Sequence, residues 1–170
     1  MKQIWEGERS KFPWEQEGLD HIKNALDALP IPYYARQRFS FTGPNGAVRE
    51  CDLLIAVPAG FFLLELKAHR GKARNSGQTW SFDGDGTISN PLHLTDQKSK
   101  ELKGQLKRVL GRDKDDIPFL DAAVFLSAPY LVCEFDQIQR AKVYGREGLK
   151  TQTSLDENSR KPLTPWPKSA

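Results

Sequence analysis

The sequence has few cysteine and histidine residues. Its 170 residues include two cysteines, Cys51 and Cys133, and three histidines. Two cysteines cannot form the multi-bridge framework of a small secreted domain. With no secretory segment in view, they predict reduced thiols in a cytoplasmic protein. The spacing of the cysteines and histidines matches no zinc-binding pattern.

Long apolar runs and several catalytic motifs are also missing from the sequence. No apolar run approaches the roughly 18 residues that a membrane span needs, so no membrane partner is expected. The chain has no nucleophile elbow and no phosphate-cradling glycine-rich loop, which argues against a stand-alone metabolic hydrolase. It also has no HRD or DFG kinase motif. A net charge of +3 does not by itself indicate nucleic-acid binding.

The composition predicts one globular domain. A hydrophobic content of 38% and a length of 170 residues suffice for a proper core. We expect a polar lead-in at 1–12, a single domain at 13–148, and a linker or tail at 149–170, where Ser, Thr, Asn, Lys and Pro accumulate.

Hydrophobic periodicity and turn residues predict the elements of this domain. The first helix starts at Pro13, and its apolar residues recur at helical spacing before two prolines end it. The remaining predicted elements are strands at 36–42, 48–57 and 60–68, a short hairpin within 80–89, a helix from Thr95 as N-cap to Leu110, a strand at 121–127 and a weaker one at 141–144.

The apolar runs LLIAV and FFLLELKA are nearly continuous. Such runs are typical of strands covered on both faces. The order helix, three strands, helix, strand therefore predicts an α/β fold with one mixed central sheet flanked by helices. Leu94, Lys98, Leu102, Leu106 and Val109 are expected on the inner face of the second helix.

The strongest chemical signal is Asp52 followed by Glu65 and Lys67. If Pro58 and Ala59 form a two-residue turn, the count along the hairpin places Asp52 directly opposite Glu65. Their Cβ atoms would then be about 4.5–5.5 Å apart, with Lys67 on the same face. Facing carboxylates destabilise a sheet unless a cation offsets them.

Two carboxylates and a lysine suit metal-dependent phosphodiester cleavage. Mg²⁺ prefers carboxylate, water and phosphate oxygens, and a neighbouring lysine can orient the attacking water. The alternative is an edge-strand ion pair between Glu65 and Lys67. The apolar character of FFLLELK is atypical of a solvated edge.

Two groups of basic residues are candidates for phosphate contacts. The first follows the third strand directly, and the second forms a stripe on the second helix, although a solvated helix face explains this stripe equally well. The two groups are Arg70, Lys72 and Arg74, and Lys100, Lys103 and Lys107.

Residues 48–71, with VRECDLL and PAGFFLLELKAHRG, resemble the NERD family, a nuclease-related branch of the PD-(D/E)xK nucleases. The resemblance covers roughly residues 10–130 and is greatest to the NERD domain of large serine/threonine kinases in bacterial phage-exclusion (BREX-type) systems. It implies a restriction-endonuclease-like core, with Asp52, Glu65 and Lys67 as the catalytic triad, Mg²⁺ or Mn²⁺ as cofactor and DNA as substrate. A kinase domain beyond Ala170 and other defence components are implied as partners.

The resemblance also implies that a carboxylate of the first helix completes the catalytic and metal-binding set. Helical spacing favours Glu15, which shares the apolar stripe of Leu19, over Glu17. Many family members have a glutamine where this chain has Leu94, and Lys98 is the candidate replacement in the catalytic set. The other interpretation of Lys98 is a helix-start lysine whose ammonium group reaches solvent.

Two functions follow from these observations. The first is a Mg²⁺-dependent DNA nuclease in anti-phage defence, favoured by the intact triad. The second is a catalytically silent module that binds DNA or a partner and regulates an attached kinase.

Overall fold

The computed structural model describes residues 2–111, 117–129, 131–146 and 150–151. The helices are α1 (Pro13–Asp27), α2 (Pro91–Leu110) and the short α3 (Gln137–Arg140). The strands are β1 (Gln3–Glu6), β2 (Tyr33–Thr42), β3 (Val48–Val57), β4 (Gly60–Lys67), β5 (Lys72–Ser76), β6 (Thr79–Phe82), β7 (Gly86–Ser89), β8 (Leu120–Leu126), β9 (Val132–Glu134), β10 (Val143–Gly145) and β11 (Lys150–Thr151).

The main sheet is mixed and has the strand order β1-β2-β3-β4-β8-β10. Strands β2, β3 and β4 are antiparallel neighbours, whereas β8 lies parallel to both β4 and β10. The predicted order of helix, three strands, helix and strand is confirmed. The chain has a mixed α/β fold that is compatible with a restriction-endonuclease-like core.

Helix α1 covers one face of this sheet through its apolar stripe. Leu19, Ile22 and Leu26 are almost fully buried against apolar residues of β3, β4 and β8. Gly18 allows the first turns of the helix to approach the ends of the strands, because a Cβ at this position would lie 2.9 Å from the Leu66 side chain and 3.0 Å from the Cβ of Ser127. A larger residue would push the helix away from the sheet.

Helix α2 begins earlier than the sequence predicts. Its N-cap is Asn90, whose side chain accepts hydrogen bonds from the amides of Leu92 and His93, and Pro91 follows at a position that needs no amide donor. The prediction of Thr95 as the N-cap is therefore wrong. The Thr95 hydroxyl instead donates to the Pro91 carbonyl inside the first turn.

The predicted inner face of α2 is also largely wrong. Leu94, Leu106 and Val109 are exposed, and Val109 is 83% exposed. The buried residues of this helix are Pro91, Leu92, Thr95, Ser99 and Leu102. The buried face is confined to the first three turns, so the last turns extend beyond the sheet.

A second sheet corrects the expectation of one central sheet. Its strand order is β11-β9-β5-β6-β7, and its apolar residues form a separate cluster with Leu92 and the inner side of β8. The hairpin predicted within 80–89 is confirmed as β6 and β7. The basic residues Lys72 and Arg74 lie on strand β5, which the sequence did not predict, because β6 and the distant β9 pair with its two edges.

Residues near both ends of the chain join the sheets. Strand β1 lies within the segment predicted as a polar lead-in and pairs with β2 in parallel. Most of the predicted linker, 149–170, falls outside the described residues, whereas Lys150 and Thr151 pair with β9. Within the described ranges, no helix combines the length and apolar character needed to cross a bilayer.

Candidate active site

The register of β3 and β4 brings the carboxylates of the candidate site together. Val57 pairs with Gly60 across the two-residue turn, and the pairing continues as far as Leu53 with Leu64. One further step along the same register reaches Asp52 and Glu65. The sheet pairing ends here, and the Asp52 side chain instead accepts a hydrogen bond from the Leu66 amide at 2.7 Å.

Asp52 is held close to a second negative charge while being half-buried. Burial, followed by the charge of Glu65, raises the pKa of Asp52 to about 7, although the Leu66 amide and Lys67 oppose the shift. Glu15 contributes a smaller upward effect on the same pKa. The carboxyl group is therefore only partly ionised near neutral pH, as long as no further cation approaches it.

Glu65 lies between two lysines. The Nζ of Lys67 is 2.9 Å from its Oε1, and the Nζ of Lys98 is 3.0 Å from its Oε2. The side chains of all three residues are mostly buried, and Glu65 is only 15% exposed. Lys98 thus reaches into the candidate site from α2. Its ammonium group contacts Glu65, in contrast to the alternative interpretation in which it reaches solvent.

The two glutamates of the first helix lie in different environments. Glu15 is 8% exposed and accepts a hydrogen bond from the Ser10 hydroxyl. The Glu17 side chain is 65% exposed and pairs with Arg146 at 2.7 Å. Helical spacing correctly distinguished the inward residue from the surface one. A role of Glu15 in metal binding or catalysis stays a prediction.

The donor set fits a divalent cation held mainly by two carboxylates. Asp52 and Glu65 are hard oxygen donors, and a cation would offset both causes of the raised pKa of Asp52, which are burial and the charge of Glu65. Within the part of the chain that the structure describes, no three His, Cys, Asp or Glu side chains form a group that could hold a metal ion. Both oxygens of Glu65 are bound to lysines, so an entering cation would have to displace one ammonium group.

The basic residues after β4 are largely engaged with acidic side chains. Lys72 pairs with Glu134, and Arg74 pairs with both Glu134 at 3.0 Å and Asp83 at 2.6 Å. Arg70 is exposed, and its backbone amide donates to Asp85. Acidic side chains on and beside the second sheet therefore neutralise much of the positive charge of this basic segment.

The basic stripe on α2 is divided among different environments. Lys100 pairs with Asp96 at 2.6 Å. Lys103 lies over the ring of Phe119 at 5.6 Å, and Lys107 is half-buried in the last turns of the helix. Phe119 precedes β8, whose first paired residues lie beside the β3–β4 turn, so Lys103 is directed toward the end of the sheet opposite Asp52 and Glu65.

One residue of the site region was not predicted from the sequence. The pairs on either side of Arg38 are Gln37 with Leu53 and Phe39 with Cys51, so Arg38 stands opposite Asp52. Its φ of 48° is costly for a residue with a side chain. The count across the β2–β3 turn could have identified this position, but the residues GPNGA permit several turn lengths.

Comparisons with known proteins relate most of the chain to one family. Over 101 residues the chain is 40% identical to the probable kinase PglW of Streptomyces coelicolor (strain ATCC BAA-471 / A3(2) / M145), an alignment that covers 57% of this chain and 6% of the relative. No solved structure matches the chain. A model of the nuclease-related domain, NERD, matches residues 10–127, which include Glu15, Asp52, Glu65, Lys67 and Lys98. The chain therefore belongs to the NERD family.

Proposed function

We propose that this domain hydrolyses phosphodiester bonds of DNA in a Mg²⁺-dependent reaction. The observation that carries the proposal is the convergence of Lys67 and Lys98 on Glu65, with the half-buried Asp52 beside it. A structural ion pair needs one cation for one carboxylate. Two carboxylates and two ammonium groups in one half-buried cluster match a centre that must balance the charges of a cation and a phosphate.

Asp52 and Glu65 would hold the cation, with Mn²⁺ as a substitute for Mg²⁺. When bound, the metal would polarise the phosphoryl group and lower the pKa of a water molecule. Lys67 would release Glu65 and orient that water, and the ammonium group of Lys98 would stabilise negative charge on the phosphate oxygens. Glu15, buried on α1, would contribute through its negative charge near Asp52.

A plasmid-cleavage assay in Mg²⁺, Mn²⁺ or EDTA tests this function. The wild type should cleave with either metal and not in EDTA, whereas Asp52→Ala and Lys67→Ala should not cleave. Calorimetric titration of Mn²⁺ separates their roles: Asp52→Ala should lose metal affinity, and Lys67→Ala should keep it. Equal Mn²⁺ affinity in the wild type and in Asp52→Ala would contradict the proposed metal site. Glu17→Gln is a suitable control, since this glutamate is exposed.

A second function is a catalytically silent module that binds DNA or a partner and regulates a larger kinase. The full occupation of the Glu65 oxygens by lysines favours it, because such a site is stable without a metal. DNA binding without cleavage under all metal conditions would support this alternative.

We also propose that the domain acts in bacterial anti-phage defence as part of a larger kinase. The resemblance to domains of BREX-type kinases and the similarity to a probable kinase support this role. Phage plating on cells that carry the full-length gene, with and without Asp52→Ala, tests it. Equal plating efficiency on the two strains would contradict a defence role of this site.

A further inference from the structure

Two exposed aromatic side chains lie at the start of α1. Phe12 is 48% exposed and Trp14 is 45% exposed, and their rings stack with centroids 6.3 Å apart. The ammonium group of Lys11 lies over the Phe12 ring at 5.5 Å. A single exposed aromatic residue needs no explanation, but here two of them form a contiguous patch that adjoins a cation.

This aromatic pair lies at the end of the sheet that carries the candidate active site. Trp14 is one turn before Gly18 on the same helical face, and Gly18 approaches Leu66, whose amide binds Asp52. The next residue after Trp14 is Glu15, which is buried and acts on the pKa of Asp52. The aromatic rings therefore border the site rather than a distant surface.

Arg38, on β2, links the region of the aromatic pair to Asp52 of the candidate active site. It stands opposite Asp52, and its guanidinium donates to the Arg9 carbonyl at 2.8 Å, just before Lys11. Among the described residues, neither Arg38 nor Lys11 forms an ion pair, whereas Arg9 pairs with Asp20 at 3.1 Å. We call Lys11, Phe12, Trp14 and Arg38 the α1 rim.

The chemistry of the α1 rim matches a strand of nucleic acid with unpaired bases. Aromatic faces stack on bases of any sequence, and neighbouring cations bind the phosphates between them. Duplex DNA hides the faces of its bases, so an exposed aromatic pair can stack only on a single-stranded segment. Lys72 and Arg74 of β5 are already paired with acids, whereas Lys11 and Arg38 of the α1 rim form no ion pair within the part of the chain that the structure describes.

We propose that the α1 rim binds single-stranded DNA next to the candidate active site, with a base stacked on Trp14 or Phe12 and the flanking phosphates held by Lys11 and Arg38. This proposal rests on the proposed nuclease function and states that DNA reaches the centre with unpaired bases, either as a single strand or where a duplex opens. Asp52 and the lysines around Glu65 then face a strand already fixed in place by the rim.

The test measures binding of a fluorescent single-stranded oligodeoxythymidylate to the full chain in EDTA, so that no cleavage occurs. Trp14→Ala should weaken binding about 5- to 150-fold, the range expected for loss of one stacked base. Trp14→Phe should keep most of the affinity. In the wild type, Trp14 fluorescence should be quenched by the oligonucleotide, and this quenching should be lost in Trp14→Phe.

Phe119→Ala is the matched control, since Phe119 is also exposed with a lysine over its ring but lies at the opposite end of the sheet. Its affinity should equal that of the wild type. An abasic oligomer should bind the wild type and Trp14→Ala equally, because only stacking is removed.

Several results would overturn the proposal: no binding by the wild type, unchanged affinity in Trp14→Ala, or equal losses in Trp14→Ala and Phe119→Ala. Unchanged affinity would also be the result for a rim that docks a protein. A chain that binds the oligonucleotide through Trp14 but never cleaves with Mg²⁺ would disprove the nuclease function and leave this proposal intact.

Discussion

Two glutamates, one in each sheet, are each held by two basic side chains. Glu65 in the main sheet binds Lys67 and Lys98, whereas Glu134 in the second sheet binds Lys72 and Arg74. Glu65 is 15% exposed and Glu134 is 32% exposed.

The surroundings of the two glutamates distinguish them further. Beside Glu65 lies Asp52, whose carboxyl group has a raised pKa. In the second cluster Arg74 contacts two acids, Asp83 and Glu134, and both have lowered pKa values. In the first cluster, burial and the charge of Glu65 raise the pKa of Asp52, whereas in the second cluster the neighbouring cations lower the pKa values of both acids. An ion pair alone therefore gives no support to a reactive centre, and it is the additional half-buried acid that supports the proposal made for Glu65.

The largest difference is expected between Glu65→Gln and Glu134→Gln in Mg²⁺-dependent DNA cleavage. Loss of a carboxylate that holds the metal should reduce cleavage about 100-fold or more, since metal stabilisation of the transition state amounts to several kcal/mol. Glu134→Gln should leave cleavage unchanged, because this half-buried glutamate binds Lys72 and Arg74 rather than residues of the candidate site. Thermal unfolding should also show a larger loss for Glu65→Gln, which leaves two ammonium groups without a carboxylate. Equal activity of the two variants would remove the distinction between the clusters.

The second prediction concerns the pH dependence of stability. The folded pKa of Asp52, about 7, lies above the ordinary value of 3.8, so the native state binds more protons between these values. The contribution of Asp52 is fully present below about pH 4 and is lost as the pH rises through about 7. Asp52→Asn should remove this decline, an effect of at most about 4 kcal/mol at about 1.4 kcal/mol per pKa unit.

Glu134 should behave in the opposite sense, which provides the control. Its lowered pKa gives a contribution that is present above the ordinary pKa and lost as the pH falls through the folded value. Urea unfolding of the wild type, Asp52→Asn and Glu134→Gln in EDTA measures both trends if the scan extends from well below the ordinary glutamate pKa of 4.5 to about pH 8. A pH profile that Asp52→Asn leaves unaltered would argue against a buried, repelled carboxyl group.

A smaller effect is expected for Lys98 and Lys72, which reach Glu65 and Glu134 from other elements of the fold. Lys98→Met should lower cleavage about tenfold, or about 1.4 kcal/mol, because Lys67 still provides an ammonium group at Glu65. Lys72→Met should have no effect on cleavage. Single-turnover assays with saturating DNA separate this loss from weaker binding. A full loss of activity in Lys98→Met would instead assign this lysine a role that Lys67 cannot share.

The smallest effect is expected in the salt dependence of DNA binding. Replacement of Arg70, Lys72 and Arg74 together by Ala would reduce the slope of log affinity against log salt by about 0.9 for each phosphate of duplex DNA that the variant no longer neutralises. Because Lys72 and Arg74 are paired with acids, we expect the change to correspond to about one phosphate. A change that corresponds to about three phosphates would show that DNA displaces Glu134 and Asp83 from these cations.

The placement of Asp52 opposite Glu65 was predictable because it depends on local features. A two-residue turn fixes the register of the hairpin, and the apolar runs on both sides identify its strands. The inward direction of Glu15 was predictable for a similar reason, since Leu19 and Ile22 set the phase of α1. These features require only that neighbouring residues in the chain are counted correctly.

The position of α2 was harder to obtain from the sequence. Its apolar residues continue into turns that are exposed, so Leu106 and Val109 shifted the predicted inner face. The pair Asn90-Pro91 is a start signal, a capping side chain followed by proline, that marked the true beginning of the helix. Lys98 still reaches Glu65 because it lies on the predicted inner face and at the edge of the observed one.

The second sheet depends on pairing between distant residues. Strand β9 has three residues and pairs in parallel with β5, about 60 residues earlier in the chain. Strands this short have no clear periodicity, and parallel pairing leaves no hairpin turn to indicate the partner. The compensation of Lys72 and Arg74 by Glu134 follows from that pairing, so the sequence alone suggested an open basic surface.

The cap of α2 limits how this domain could be divided. Asn90, buried at the helix start, donates to the Gln139 side chain at 3.1 Å, and the indole of Trp80 donates to the same oxygen at 2.7 Å. The helix that carries Lys98 is thus tied to the hairpin and to α3 through one amide oxygen. A protein reduced to the main sheet and its two long helices would lose this anchor. Shortened versions of the domain for engineering should therefore retain the hairpin, even though it contributes no residue to the centre.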